Sequence, residues 1–238
     1  PIRYFPIDEA HPTYTTDPYS FSKEILEEIA AYFWRRESIS GVCLRLPAVI
    51  DPSSSWMSRM RGFFSKRQEA FEALRAMPKA ERRARIDACL KDAEARRVER
   101  LQERPWEEQR EAFKRRREDN PAPPAPEQIV MFGRNDFWTM IHVEDAAQAI
   151  ERGVTARYQG SHPLFVCDRD NVLGVPSRLL AEFYFPEVET WKRDVSGTES
   201  LVSTARAEDL LGFTTEHSML EWFEEGEEEN VSVAQPAD

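Results

Sequence analysis

The chain reads as an α/β protein built on a parallel sheet and interrupted by a charged helical insertion, and three observations predict this class. An amphipathic helical stretch at 18–37 is followed at once by the short apolar run 41–46, the order of a crossover unit in a parallel sheet. Short apolar runs and helical patterns then alternate from 129 to 213. Between these two parts, 55 to about 119 is rich in Arg, Glu and Ala and almost free of Gly.

The first helix carries the chemistry. In Asp17-Pro18-Tyr19-Ser20-Phe21-Ser22-Lys23-Glu24, Asp17 suits the N-cap and Pro18 the first helical position. Ile25, Leu26, Ile29, Ala30 and Phe33 recur at helical spacing, and Arg35-Arg36 followed by Gly41 mark the end. Tyr19 and Lys23 stand four residues apart, so they share one face of the first turns. A tyrosine with a pKa of about 10 is a poor base at neutral pH, but a cation one turn away favours the phenolate. Tyr19 could then exchange a proton with a hydroxyl or carbonyl, while Lys23 holds charge and donates a hydrogen bond.

The run 41–46 reads as a buried strand whose Arg45 needs a carboxylate or carbonyl partner. Pro47-Ala48-Val49 follow at its carboxyl end, where open α/β sheets bind ligands. Upstream, residues 1–16 form a turn-rich loop leading to the helix. The insertion reads as two or three helices punctuated by Pro78 and Pro105. Residues 55–128 carry a net charge of +5 on a remainder of −16. One reading is a solvated hairpin with Glu/Arg pairs at helical spacing, packing Phe64, Phe71, Leu74, Ile86, Leu90 and Leu101. The other is a docking surface for a protein partner at residues 55–119. Nucleic acid is disfavoured, because acids interleave the bases and Lys114-Arg115-Arg116-Arg117 is the one strong basic cluster. Four prolines in 120–126 make a stiff link back.

Beyond the link, Ile129-Val130-Met131-Phe132 and Trp138-Thr139-Met140-Ile141 read as strands, and Glu144-Asp145 open a helix through Ile150. Leu164-Phe165-Val166-Cys167 is a further strand, Val175-Pro176-Ser177 open another helix, and Ser203 caps a helix 204–211 that stops at Gly212. The acidic tail from Glu224 reads as disordered. Cys43, Cys89 and Cys167 are odd in number and far apart, which predicts reduced thiols, at least two of them buried. The four histidines have no ligand-like spacing, so no metal is expected. No apolar run is long enough to cross a bilayer, and a cytoplasmic setting without membrane partners is the default expectation.

Several of these stretches together resemble the extended short-chain dehydrogenase/reductase superfamily, the NAD-dependent epimerase/dehydratase family. They are Tyr19 with Lys23, Leu44-Arg45 before Pro47, Ile141-His142-Val143-Glu144-Asp145-Ala146-Ala147, and the segment Glu199 to Ala207 followed by Leu210-Leu211-Gly212-Phe213. The resemblance covers 1 to about 52 and about 129 to 222. It implies a partial Rossmann-like, doubly wound parallel sheet with a small α/β substrate-binding region. The division expected is 1–54 for the sheet and the Tyr/Lys helix, 55–128 for the insertion and link, 129–223 for the return to the sheet with the substrate region, and 224–238 for the tail.

The resemblance further implies an oxidoreductase, epimerase or dehydratase acting on a nucleotide sugar or similar hydroxylated metabolite. Tyr19 and Lys23 would be catalytic, and Lys23, Pro47, Ala48 and Val49 would meet NAD or NADP. Related enzymes often pair through the Tyr/Lys helix, so a homodimer is compatible. Two departures stand out: Asp51-Pro52 replaces the usual Gly-Pro, and no two of the nine glycines are three apart, so the phosphate-binding turn lies outside this sequence. The expectation is therefore a fragment, inactive alone and lacking its cofactor-binding half. The alternative is a non-catalytic family remnant that binds partners through the insertion.

Overall fold

The computed structural model describes residues 2–100, 105–119 and 124–225. They divide into two compact units, one formed by 1–68 with 133–238 and the other by 69–132. The order is α1 (Pro18–Glu37), β1 (Gly41–Arg45), β2 (Ala48–Ile50), α2 (Ser55–Ala76), α3 (Lys79–Arg100), α4 (Trp106–Asp119), α5 (Pro126–Met131), a 3-10 turn, β3 (Met140–His142), α6 (Val143–Thr155), β4 (Ser161–Phe165), α7 (Ser177–Tyr184) and α8 (Ala205–Leu211).

In the first unit, β1 pairs with β4 and β2 with β3, both parallel. These pairs carry the expected partial Rossmann-like α/β character. Register runs from Gly41 opposite Ser161 to Arg45 opposite Phe165, and from Ala48 opposite Met140 to Ile50 opposite His142. The chain after β4 links the pairs, since the Val166 amide donates to the Arg45 carbonyl and the Asp168 amide to the Met140 carbonyl. One face of β1–β4 is sealed by α6 and α8: Ile141, Ala146, Ala149, Leu164, Val166, Ala207, Leu211 and Phe213 form a core, with Val42 and Leu44 packed on it. A second cluster gathers Ile50, Phe64, Val172, Met219, Leu220 and Phe223, in which Phe64 and Phe223 stack with centroids 4.4 Å apart.

The opposite face of β1–β4 belongs to α1, and its packing differs from the sequence expectation. Asp17 Oδ1 accepts the Ser20 amide at 2.9 Å and Pro18 opens the helix as anticipated. Ser38, not Gly41, takes the left-handed position that ends it. The apolar stripe Ile25, Leu26, Ile29 and Phe33 faces outward and is exposed, and no residue of α1 is buried. The half-buried residues of α1 are Ser20, Glu24, Glu27, Ala30, Ala31 and Trp34. Glu27 receives Arg45 in a two-pronged ion pair at 2.8 and 2.7 Å, the partner Arg45 was expected to need. Arg45 also lies over the Phe165 ring.

Residues 1–12 run beside the 190–203 segment. Phe5 pairs with Trp191 and Ile7 with Val202, and Tyr4, Asp8 and Lys192 interlock: Tyr4 Oη and Lys192 Nζ each donate to Asp8 at 2.6 Å.

The second unit is helical. Ala70, Phe71, Leu74, Ile86, Cys89 and Val130 are buried, and Leu90 is half-buried. Leu101 lies outside the described residues. Ion pairs three or four residues apart lace the solvated faces, as in Arg83–Asp87, Arg85–Glu81, Arg96–Asp92 and Arg97–Glu94. The expected strand at 129–132 is instead the end of α5. A run of four apolar residues fits either state, and here Pro126 at the first position and the Gln128 side chain, which accepts the Ala125 amide at 3.0 Å, decide for helix. Most of the proline-rich link and of the acidic tail lie outside the described residues. Cys89 and Cys167 are buried and Cys43 is half-buried, all three as free thiols.

Candidate functional site

The register of α1 on β1 fixes where Tyr19 and Lys23 stand. The connection 38–40 is short, so α1 and β1 run in opposite senses and the start of α1 lies toward the carboxyl end of the strand. The Arg45–Glu27 pair ties the last residue of β1 to the third turn of the helix. With about 1.5 Å of rise per residue, Lys23 lies roughly 6 Å and Tyr19 roughly 12 Å further along, past the strand's end. Pro47, Ala48 and Val49 leave the strand in the same direction, and Ala48 and Val49 are exposed.

Lys23 Nζ sits over the Tyr19 ring, 5.2 Å from its centroid, and Tyr19 is 72% exposed. The loop before the helix is tied to it, since Thr13 and Thr15 both donate to Glu24, Thr15 at 2.6 Å. The Glu9 carboxylate accepts the Phe165 amide at the end of β4, at 2.7 Å. The 1–16 loop, α1 and the carboxyl ends of β1 and β4 therefore converge on one edge of the sheet.

No protein-family model matches the chain, and no curated protein matches it. Two solved structures show a likeness. One is MoeE5 in complex with UDP-glucuronic acid and NAD, at 16% identity and a TM-score of 0.23 over 38% of this chain. The other is RMD from Pseudomonas aeruginosa complexed with NADPH, at 14% identity and a TM-score of 0.38 over 96% of this chain. The chain spans 33% of the length of the first and 60% of the second.

A second cluster joins His142 and Asp145, whose sequence tempts a catalytic reading but favours a plain helix start, to His217. His142 is the N-cap of α6, its Nδ1 accepting the Glu144 amide at 3.2 Å. His217 stacks on it with ring centroids 4.4 Å apart and planes 16° from parallel. Its Nδ1–H donates to Asp145 Oδ1 at 2.9 Å and its Nε2 lies 3.2 Å from Glu144 Oε2. Asp145 is 1% exposed and also accepts the Glu216 and His217 amides on Oδ2. The Asp145 hydrogen bond holds the His217 imidazolium above the usual histidine range, whereas burial, with the neighbouring His217, pushes His142 down. Histidine spacing argued against a metal, but spacing along the chain is blind to a pairing made by the return of the 214–218 segment onto α6. The one local signal was the motif from Ile141 to Ala147 itself, which placed Glu144 and Asp145 in the first turn of a helix.

No helix among the described residues is long and apolar enough to cross a membrane.

Proposed function

We propose that the chain supplies the proton-transfer pair and part of the substrate cleft of an NAD(P)-dependent oxidoreductase, epimerase or dehydratase acting on a nucleotide sugar or a similar hydroxylated metabolite. The observation that carries this reading is the Arg45–Glu27 ion pair, which stations Tyr19 and Lys23 beyond the carboxyl end of a parallel strand. That is where open α/β sheets bind ligands.

In this reading Tyr19 Oη takes or returns the proton of a substrate hydroxyl as the carbon beneath it is oxidised or reduced. Lys23 would compensate the charge on the phenolate and hold the ribose of the cofactor by a hydrogen bond. The backbone of Pro47, Ala48 and Val49 would hold the nicotinamide amide. The nicotinamide, when bound, supplies or accepts the hydride. The residues present fit the nicotinamide end of such a cofactor. They do not fit its pyrophosphate end, since these 238 residues contain no glycine-rich turn.

The test uses the full-length protein, assayed for change in nicotinamide absorbance with a panel of nucleotide sugars. Tyr19→Phe should lower kcat by about 10²–10⁴-fold while the Kd for NAD(P)H stays within about twofold, the pattern of a lost proton-transfer group. Parallel loss of turnover and cofactor binding would overturn the assignment. Complete absence of turnover in the wild type would favour a non-catalytic interaction protein.

A further inference from the structure

We propose that His142, Glu144 and His217 form a binding site for one divalent transition-metal ion of the zinc class, with Asp145 as the orienting carboxylate and a fourth position open to water. The potential ligand atoms of these three residues all lie within 4.8 Å of one another. Two imidazoles and one carboxylate are a ligand set that zinc takes when it keeps an open position, and imidazole suits the later first-row divalent ions in general.

The His217 and Glu144 half of the site already has the spacing of an occupied one. Tetrahedral bonds of about 2.0–2.1 Å place neighbouring ligand atoms roughly 3.3 Å apart. His217 Nε2 and Glu144 Oε2 already stand at 3.2 Å. The remaining nitrogen of His217 donates to a carboxylate that is almost wholly buried, the arrangement that fixes the tautomer and ring orientation of a metal-bound histidine. Asp145 is itself held by two backbone amides, so it cannot swing away.

His142 requires one exchange. An imidazole whose Nδ1 accepts the Glu144 amide carries its proton on Nε2, so ligation through Nε2 moves that proton to Nδ1 and gives up a long 3.2 Å cap bond. An imidazole binds an ion in its own ring plane, and the two rings lie face to face, 16° from parallel, so the His142 ring must turn out of the stack before both nitrogens reach one ion. The Glu144 and His217 side chains are 68% and 40% exposed, so the ion is reached from solvent. Once bound, it would clamp the start of α6 to the 214–218 segment, independently of the chemistry at Tyr19.

The chain is purified free of metal, then titrated with Zn²⁺ by calorimetry and with Co²⁺ by visible spectroscopy. The expected result is one ion per chain, with a cobalt spectrum free of thiolate charge-transfer bands. His217→Ala should weaken binding by more than the roughly 10–100-fold that loss of an orienting partner alone costs, and Asp145→Asn should fall within that range. Glu144→Gln, at an exposed position, serves as the ligand variant if His217→Ala fails to fold, with circular dichroism as the check. Binding below one ion per chain, thiolate bands that place the ion on cysteine, or a folded Glu144→Gln chain that binds Zn²⁺ as tightly as the parent would each overturn the site.

Discussion

The two faces of the β1–β4 pair are held by different physics. On the α6/α8 face, apolar side chains interlock: Leu164, Ala149 and Ala207 are fully buried, and Gly153 lets α6 approach so closely that an added Cβ would meet Val42 Cγ2 at 2.8 Å. On the α1 face the helix half-buries a mixed edge, in which Ala31 and Trp34 accompany Glu27, fastens by Glu27 to Arg45, and leaves Ile25, Leu26, Ile29 and Phe33 exposed. A parallel sheet is ordinarily covered by apolar layers on both sides. In this chain one face is a core and the other is a charge clamp, so stability should concentrate on the first and positioning on the second.

The largest expected effect tests the core. Leu164→Ala should cost about 2–5 kcal/mol, because it removes a fully buried side chain where α6, α8 and β1 leave little room to collapse. Urea unfolding followed by circular dichroism measures it. A loss under 1 kcal/mol would mean that the α6/α8 face is as loosely held as the other, and the contrast between the faces would vanish.

The clamp comes next. Arg45→Met keeps much of the aliphatic volume over Phe165 but leaves the Glu27 carboxylate, 24% exposed, without its two donors. About 1–3 kcal/mol should be lost. The more telling readout is local: amide hydrogens in α1 should exchange faster while those in α6 keep their protection, since the helix has no buried side chain to hold it in place. Uniform loss of protection across both helices would show that the sheet, and not the ion pair, sets the position of α1.

These differences mark where the sequence was readable. The start of α1 and the stop of α8 were legible because their signals are local, Asp17 and Pro18 at the one and Gly212 in the left-handed region at the other, whereas α1 stops at Ser38 and not Gly41, and the N-cap of α8 is Thr204 and not the expected Ser203. The need of Arg45 for a partner was legible as well, because a guanidinium in an apolar run cannot be left unpaired. The apolar run 129–132, expected as a strand, fits either state, and Pro126 and Gln128 settled it as helix. What periodicity could not reveal was the partner of a face. The pattern in α1 identifies an apolar stripe, but whether the stripe meets this chain's own sheet depends on contacts made by residues distant in sequence. The same limit hid His217 from His142, which only the return of the chain onto α6 brings into stacking distance.

The smallest expected effect is therefore the sharpest check on the contrast. Ile29→Ser replaces an apolar side chain that is 44% exposed in the middle of the α1 stripe, so only part of its apolar area is withdrawn from water. Stability in urea should change by less than about 0.5 kcal/mol, the range of ordinary surface substitutions. The same substitution directed at a covered stripe would forfeit a large part of a side chain's transfer free energy, about 1.5–3 kcal/mol. A cost of that size, and especially one that grows with protein concentration, would mean that a second copy covers the stripe in solution, because mass action makes the stability of a folded dimer depend on concentration and that of a monomer not. A concentration-independent cost would instead place the cover within the chain, and α1 would then sit on the sheet by its apolar edge, with the Glu27–Arg45 clamp secondary.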